Sequence, residues 1–224
     1  MGRFNVSIVV PVFNEEEQAA NLISRLILLQ DYVKDIILVD GGSTDRTVEL
    51  LSKQFTLISS AKGRANQMNA GAKHASGTWL VFVHADTQFT SRHLNHLIEQ
   101  ATQSQWGRFD VQLDARGMSF RIIEWFINLR SRLTSIATGD QCIFVRKALF
   151  DRLGGYADIP LMEDVDFSKR AKRLAKPACL NIKVITSARR WLTHGVIKTV
   201  VLMWKLRLLF WLGVEPEKLA KLYR

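Results

Sequence analysis

Short β-branched runs alternate with segments of helical period through the first half of the chain. Ser7–Val12, Ile36–Val39, Phe55–Ile58 and Trp79–Val83 read as buried strands, while Glu15–Leu29 and Ala65–Ala75 carry apolar residues at helical spacing. This alternation predicts a largely parallel central sheet flanked by helices, because parallel neighbours need a crossover connection. In an open α/β sheet of that kind, ligands bind at the carboxyl ends of the strands.

Helix-start signals agree with this parsing. Asn14 is placed to cap the first helix, with Glu17 three residues on, and Ser43 or Thr44 to cap the second. Glu15, Glu16 and Glu17 suit the positive end of a helix. The second half is less regular: a strand over Arg108–Leu113, an apolar helix over Ser119–Leu133 and a strand over Cys142–Val145, followed by the turn Gly154-Gly155. With 224 residues and no repeat or linker, the chain suits one α/β domain.

Charge narrows the partners. A formal net charge of +10 implies attraction to an anion: nucleic acid, a phospholipid surface or a phosphorylated substrate. No recognition helix, zinc finger or aromatic RNA-binding segment is present, so no nucleic-acid partner is expected. Cys142 and Cys179 lack C-x-x-C spacing, which points to reduced thiols. The first residues enter an apolar strand without a charged leader, so a cytoplasmic location is expected.

Three of the four early strands end in polar residues. Asn14-Glu15 follows the first, Asp40-Gly41-Gly42-Ser43-Thr44-Asp45 the second and His84-Ala85-Asp86 the fourth. That sets acidic groups along one rim, where a carboxylate can accept hydrogen bonds from a base or ribose and glycine lets backbone approach a ligand. One Asp-Gly pair would mark only a turn. Three such endings suggest a site.

Pro11-Val12-Phe13-Asn14-Glu15, the Asp40–Asp45 run and the acidic motif after the fourth strand resemble the family 2 glycosyltransferases. The resemblance implies a single GT-A domain over residues 1–190, with a nucleotide-binding half (1–104) and an acceptor-binding half (105–190). It implies a nucleotide-diphospho-sugar donor, held by Pro11, Asn14, Glu15, Asp40, Gly41, Ser43, Arg64, Asn69 and Asp86. Asp86 would be the last acid of a D-x-D motif that holds a divalent metal, Mn2+ or Mg2+. His84 stands where the first aspartate would be; imidazole suits manganese better than magnesium, a hard cation that prefers oxygen. Arg64, at the start of the segment Gly63–Ala72, is placed to meet phosphate beside a helix N-terminus.

Transfer from such a donor needs a base for the acceptor hydroxyl and a neutraliser for the departing diphosphate. The run Leu161-Met162-Glu163-Asp164-Val165-Asp166 offers carboxylates beside a helix start, and the resemblance puts the base at Asp164. By themselves these acids would also suit a helix N-terminus pairing with Lys169 or Arg170. The resemblance assigns Asp140, Gln141, Glu163, Arg190 and Trp191 to the acceptor and donor-sugar pocket, and His194 is a further metal or phosphate candidate. Arg189-Arg190-Trp191 is a shortened Q-x-x-R-W motif without its glutamine, so processive synthesis is not expected.

Residues 191–224 form an apolar, basic helical segment. Lys198, Lys205 and Arg207 interrupt every span that might cross a membrane. A basic stripe beside Trp204, Phe210 and Trp211 suits an interfacial helix on the cytoplasmic face of an anionic membrane, near a lipid-linked hydroxyl acceptor. A helix packed on its own domain or in a homo-oligomer interface fits the same pattern. Two other functions fit the architecture: a nucleotidyltransferase making nucleotide sugars, disfavoured by the lack of a glycine-rich, lysine-containing first turn, and a binding protein without turnover.

Overall fold

The computed structural model describes residues 3–223. Seven strands form one sheet in the order β3-β2-β1-β4-β6-β5-β7, comprising β1 (Phe4–Val12), β2 (Val33–Asp40), β3 (Thr56–Ser59), β4 (Trp79–Phe82), β5 (Trp106–Leu113), β6 (Phe144–Arg146) and β7 (Ala178–Thr186). β1 lies parallel to both β2 and β4, and β2 to β3. The short β6 runs antiparallel between β4 and β5, and β7 closes the far edge parallel to β5.

Period-two alternation sends the strands' side chains into two cores. Val6, Ile8, Val10 and Val12 of β1 face one core with Leu22 and Leu26 of α1 (Ala19–Ile27), Leu51 of α2 (Thr47–Leu51), and Leu94 and Leu97 of α4 (Ser91–Gln100). Val9, Ile37, Val39, Leu80 and Phe82 face the other. There they meet Ala65, Met68 and Ala72 of α3 (Arg64–His74), Phe150 of α6 (Lys147–Arg152) and Phe167 of α7 (Glu163–Ala171). The result is a three-layer sandwich whose central strands are buried on both faces, as their continuous apolar runs require.

α5 (Met118–Thr134) follows β5 and packs through Phe120 and Ile123 against Leu113, Ala188 and Trp191. After β7 come α8 (Arg189–His194), α9 (Val196–Trp211) and α10 (Pro216–Tyr223). Leu206 of α9 and Leu219 of α10 bury against Met162 and Val165 at the start of α7, so this segment packs on the domain along one face. Both cysteines are free thiols, Cys142 buried and Cys179 half-buried.

The strand positions read from the pattern hold to within a few residues, but the caps do not. Asn14 sits in the left-handed region (φ 51°), where its side-chain oxygen accepts the Thr44 N–H and its own N–H donates to Ser43 Oγ. It fastens two strand-end loops together instead of capping a helix. The first helix therefore opens as a single 3-10 turn, Glu16–Gln18, before α1. Ser43 is likewise taken up by Asn14 and Asp40, and it is Asp45 that accepts the Thr47 N–H at the start of α2.

Candidate active site

The rim at the ends of β1 and β2 is held from below by a residue the sequence did not single out. Gln67 of α3 is buried, and its amide nitrogen donates to the carbonyls of both Val12 and Val39 at 2.8 Å each. A Cβ on Gly41 would come within 3.0 Å of the Gln67 amide, so glycine lets the β2 loop close over it. Above it, the Asp40 carboxylate accepts the N–H groups of Gly42 and Ser43 and the Ser43 hydroxyl, which shapes that loop. Glu15, half-buried, donates its N–H to Thr47 Oγ1 and leaves its carboxylate free. Pro11 pairs with Val39 in the sheet, and both amide atoms of Asn69 are used on the backbone of Tyr156, tying α3 to the loop before α7.

Beside this rim opens a cavity of about 1030 Å³ that brings together residues far apart in sequence. Arg64, His84, Asp86, Asp140, Glu163, Asp164, Arg190, Trp191 and His194 all line it. Gln141 does not: it is buried beneath, its side-chain oxygen accepting the Thr138 N–H and its nitrogen donating to Asn128. Gly139 and Arg189, from the runs that hold Asp140 and Arg190, line it too, as does Arg130, which the sequence did not single out.

Charges in and beside the cavity are mutually adjusted. Burial, and then the field of Asp86, raises the Glu15 pKa, while Arg189 and Arg25 oppose the rise. Asp86 is raised by burial, against the pull of Arg64 and Arg189. Burial and then Arg64 push His84 down to about 3, which leaves a neutral imidazole. Its ring lies against Gly139, where a Cβ would stand 2.6 Å from His84 Cε1. Arg64 is itself disfavoured by burial, but Glu163, Tyr223, Asp164 and Asp86 outweigh this and keep it firmly charged.

The acidic run enters through Met162, whose left-handed backbone (φ 69°) starts α7. Asp164, second in the helix, accepts the Gly139 N–H at 2.8 Å and the Val165 N–H at 2.7 Å. Burial raises its pKa, these N–H groups restrain the rise, Asp140 adds to it and Arg207 subtracts. Glu163 is pushed to about 7 by burial and by Asp164. The expected helical pairing is present only for Asp166, which binds Arg170 at 2.7 Å. Arg190 is spent on α10: its Nη2 donates to the Tyr223 carbonyl at 2.7 Å and its guanidinium stacks 3.6 Å from the Tyr223 ring centroid.

Among the described residues, no three His, Cys, Asp or Glu side chains gather closely enough to hold a metal by themselves, so His194 does not join His84 and Asp86. The donor set still fits. A neutral imidazole and a carboxylate share one cavity wall with Arg64, and divalent metals at phosphoryl sites take one or two protein ligands and complete their shell from substrate phosphate.

Comparison with known proteins agrees with this architecture. Residues 7–151, well over half of the chain, match the model of glycosyl transferase family 2, and the chain belongs to that family. It is 31% identical over 140 residues to the undecaprenyl-phosphate 4-deoxy-4-formamido-L-arabinose transferase of Edwardsiella ictaluri, covering 57% of this chain and 41% of that one. With the poly-beta-1,6-N-acetyl-D-glucosamine synthase of Staphylococcus aureus it shares 30% identity over 89 residues, covering 37% of this chain and 22% of that one. The matched stretch thus spans less than half the length of these curated relatives. Among solved structures, S. aureus TarS in complex with UDP-GlcNAc superposes with a TM-score of 0.63 at 19% identity over 81% of this chain and 58% of that chain. A mannosyltransferase from Pyrobaculum calidifontis in complex with GDP-Man and Mn2+ gives 0.63 at 19% identity over 92% of this chain and 61% of that chain. The fold is GT-A.

Proposed function

We propose that the protein transfers a sugar from a nucleotide-diphosphate donor to a hydroxyl acceptor with inversion at the anomeric carbon, and that Asp164 is the general base. The observation that carries this is the placement of Asp164: a half-buried carboxylate, fixed by the Gly139 and Val165 N–H groups, in the cavity that also holds Arg64, His84 and Asp86. The relatives, a lipid-phosphate sugar transferase and a polysaccharide synthase, agree with sugar transfer.

In this reading Glu15 and the Asp40–Ser43 loop receive the nucleoside, and Arg64 and Arg189 meet the diphosphate. His84 and Asp86 would hold a divalent metal, Mn2+ before Mg2+, which as a Lewis acid stabilises the leaving diphosphate. The acceptor hydroxyl gives its proton to a carboxylate oxygen of Asp164 as its oxygen bonds to C1, and the C1–O bond to the diphosphate breaks with its electron pair on the diphosphate. One displacement with one base inverts the anomeric centre. The raised pKa of Asp164 strengthens it as a base, and its two backbone donors keep the ionised form accessible.

The exposed face of α9 supports a location on the membrane surface. Ile197, Val201, Trp204, Leu208 and Trp211 are exposed at alternating spacings of four and three, with Lys198 and Lys205 beside them. Ile122 and Phe126 of α5 and Trp204 are exposed and also line the cavity, so its mouth opens on this apolar face. No helix among the described residues is long and apolar enough to cross a membrane. Co-sedimentation with anionic vesicles tests this placement; a stable dimer that ignores vesicles would assign the stripe to a second copy instead.

The central experiment is release of nucleoside diphosphate from a panel of nucleotide sugars with Mn2+. Asp164→Asn is expected to lower turnover by about 10²–10⁴ while donor binding, followed by calorimetry, persists. Binding without turnover in the unsubstituted protein would leave a sugar-nucleotide binding protein, and diphosphate release from a nucleoside triphosphate would indicate a nucleotidyltransferase.

A further inference from the structure

α5 and α9 face the cavity with matching stripes that each end in an arginine. On α5 they are Ile123, Ile127 and Arg130; on α9, Val200, Met203 and Arg207. The Nε and Nη2 atoms of Arg130 are buried and have no hydrogen-bond partner. Arg207 makes no hydrogen bond or ion pair among those found for the described residues. Asp140, on the same cavity, has a buried Oδ1 that also lacks a partner.

The same helix shows how this fold satisfies an arginine it uses for structure. Arg108 of β5 is fully buried, and Ser131 and the Asn128 carbonyl of α5 accept from it together with Asp110. Arg132, also on α5, pairs with Asp110 at 2.7 Å. Arg130, two residues from Arg132, has none of this. Burial and the nearby Arg207 push its pKa down to about 10, with Asp140 and Asp164 offsetting only part of the cost. An anion placed between two neighbouring cations at a cavity wall stabilises both.

We propose that Arg130 and Arg207 form the acceptor-recognition subsite, and that the acceptor carries an anionic group, a phosphate or carboxylate, close to the hydroxyl it presents to Asp164. This rests on the glycosyl-transfer reading above and specifies its second substrate. Different acids act on the two sets of cations: Glu163, Asp164 and Asp86 on Arg64, Asp140 and Asp164 on Arg130, so Asp164 is within electrostatic reach of both. Asp140 is free to accept from a second hydroxyl of the same acceptor. The apolar walls leading out from the two arginines admit a soluble hydroxylated phosphate and the head of a phospholipid alike.

The test uses inorganic phosphate as the probe, added after UDP or GDP and Mn2+ have filled the donor side. Phosphate is expected to raise the melting temperature saturably, with the shift lost in Arg130→Met and in Arg207→Met. Without phosphate, Arg130→Met should melt no lower than the unsubstituted protein, since it removes an unpaired buried charge; an arginine serving structure would lose stability instead. Glycerol 3-phosphate and phosphatidylglycerol vesicles then separate soluble from lipid sources, each against glycerol, with at least a tenfold preference for the anionic compound in nucleoside diphosphate release. A phosphate shift that survives in both variants, or a drop in melting temperature for Arg130→Met, overturns the subsite. Failure of UDP and GDP to bind at all overturns the donor reading instead, so the two failures are distinguishable.

Discussion

Replacing Glu163 by glutamine is expected to stabilise the protein at neutral and alkaline pH and to change little in acid. Glu163 is 6% exposed, and among the described residues no side chain donates a hydrogen bond to its carboxylate. Burial, and then Asp164, push its pKa from 4.5 to about 7, with Arg64 pulling the other way. A carboxyl group whose folded pKa lies above its unfolded value binds more protons folded than unfolded. Stability therefore falls as pH rises from the unfolded value and levels off above the folded one. At ~1.4 kcal/mol per tenfold change in proton affinity, the raised pKa makes the ionised side chain roughly 3 kcal/mol unfavourable. Glutamine keeps the shape and never ionises. Urea titrations should find Glu163→Gln within about 1 kcal/mol of the unsubstituted protein near pH 5 and about 3 kcal/mol more stable near pH 8. Equal destabilisation at both pH values would refute the argument, since it would mean that the carboxylate is held by partners and folds ionised.

Other outcomes follow from the same geometry. The acid limb of the kcat/KM profile should lie above the ordinary carboxylate range, because burial raises Asp164 and the base works only ionised; Asp164→Asn should remove that limb and lower kcat by about 10²–10⁴. His84→Asp exchanges a neutral nitrogen ligand for a carboxylate, so activity with Mg2+ should rise relative to Mn2+; an unchanged metal preference would remove His84 from the metal site. Gln67→Ala deletes two buried hydrogen bonds and should cost about 1–3 kcal/mol in chemical denaturation, with weaker donor binding in calorimetry. Intact affinity in that variant would show that the rim does not depend on its amide.

How far the sequence revealed this molecule depended on whether a feature was local. β1, β2 and β4 were legible because buried parallel strands write themselves as apolar, β-branched runs, and the polar residues at their ends marked the rim; β3, read as buried too, is an edge strand with no buried residue. β7 was not legible: the exposed polar residues Asn181 and Lys183 break its apolar run, and a register shift interrupts its pairing with β5. Asn14 misled because a cap and a loop-to-loop fastener use the same side-chain oxygen. Arg130 left only a faint sign, one charged residue at helical spacing from Ile123 and Ile127. Its partner Arg207 lies on another helix, and nothing in a one-dimensional pattern says that the two helices share a cavity.

Gln67 has a further effect through its neighbour one helical turn away, Arg64. The two hydrogens of a single amide tie α3 to the ends of both β1 and β2, and α3 carries Arg64, the cation proposed above to meet phosphate. A base wedged between those strand ends would pull on the same lever that aims the guanidinium. The two ends of a sugar nucleotide would then be sensed as one event: a fragment carrying only the base, or only the phosphates, should bind more weakly than its contacts alone suggest.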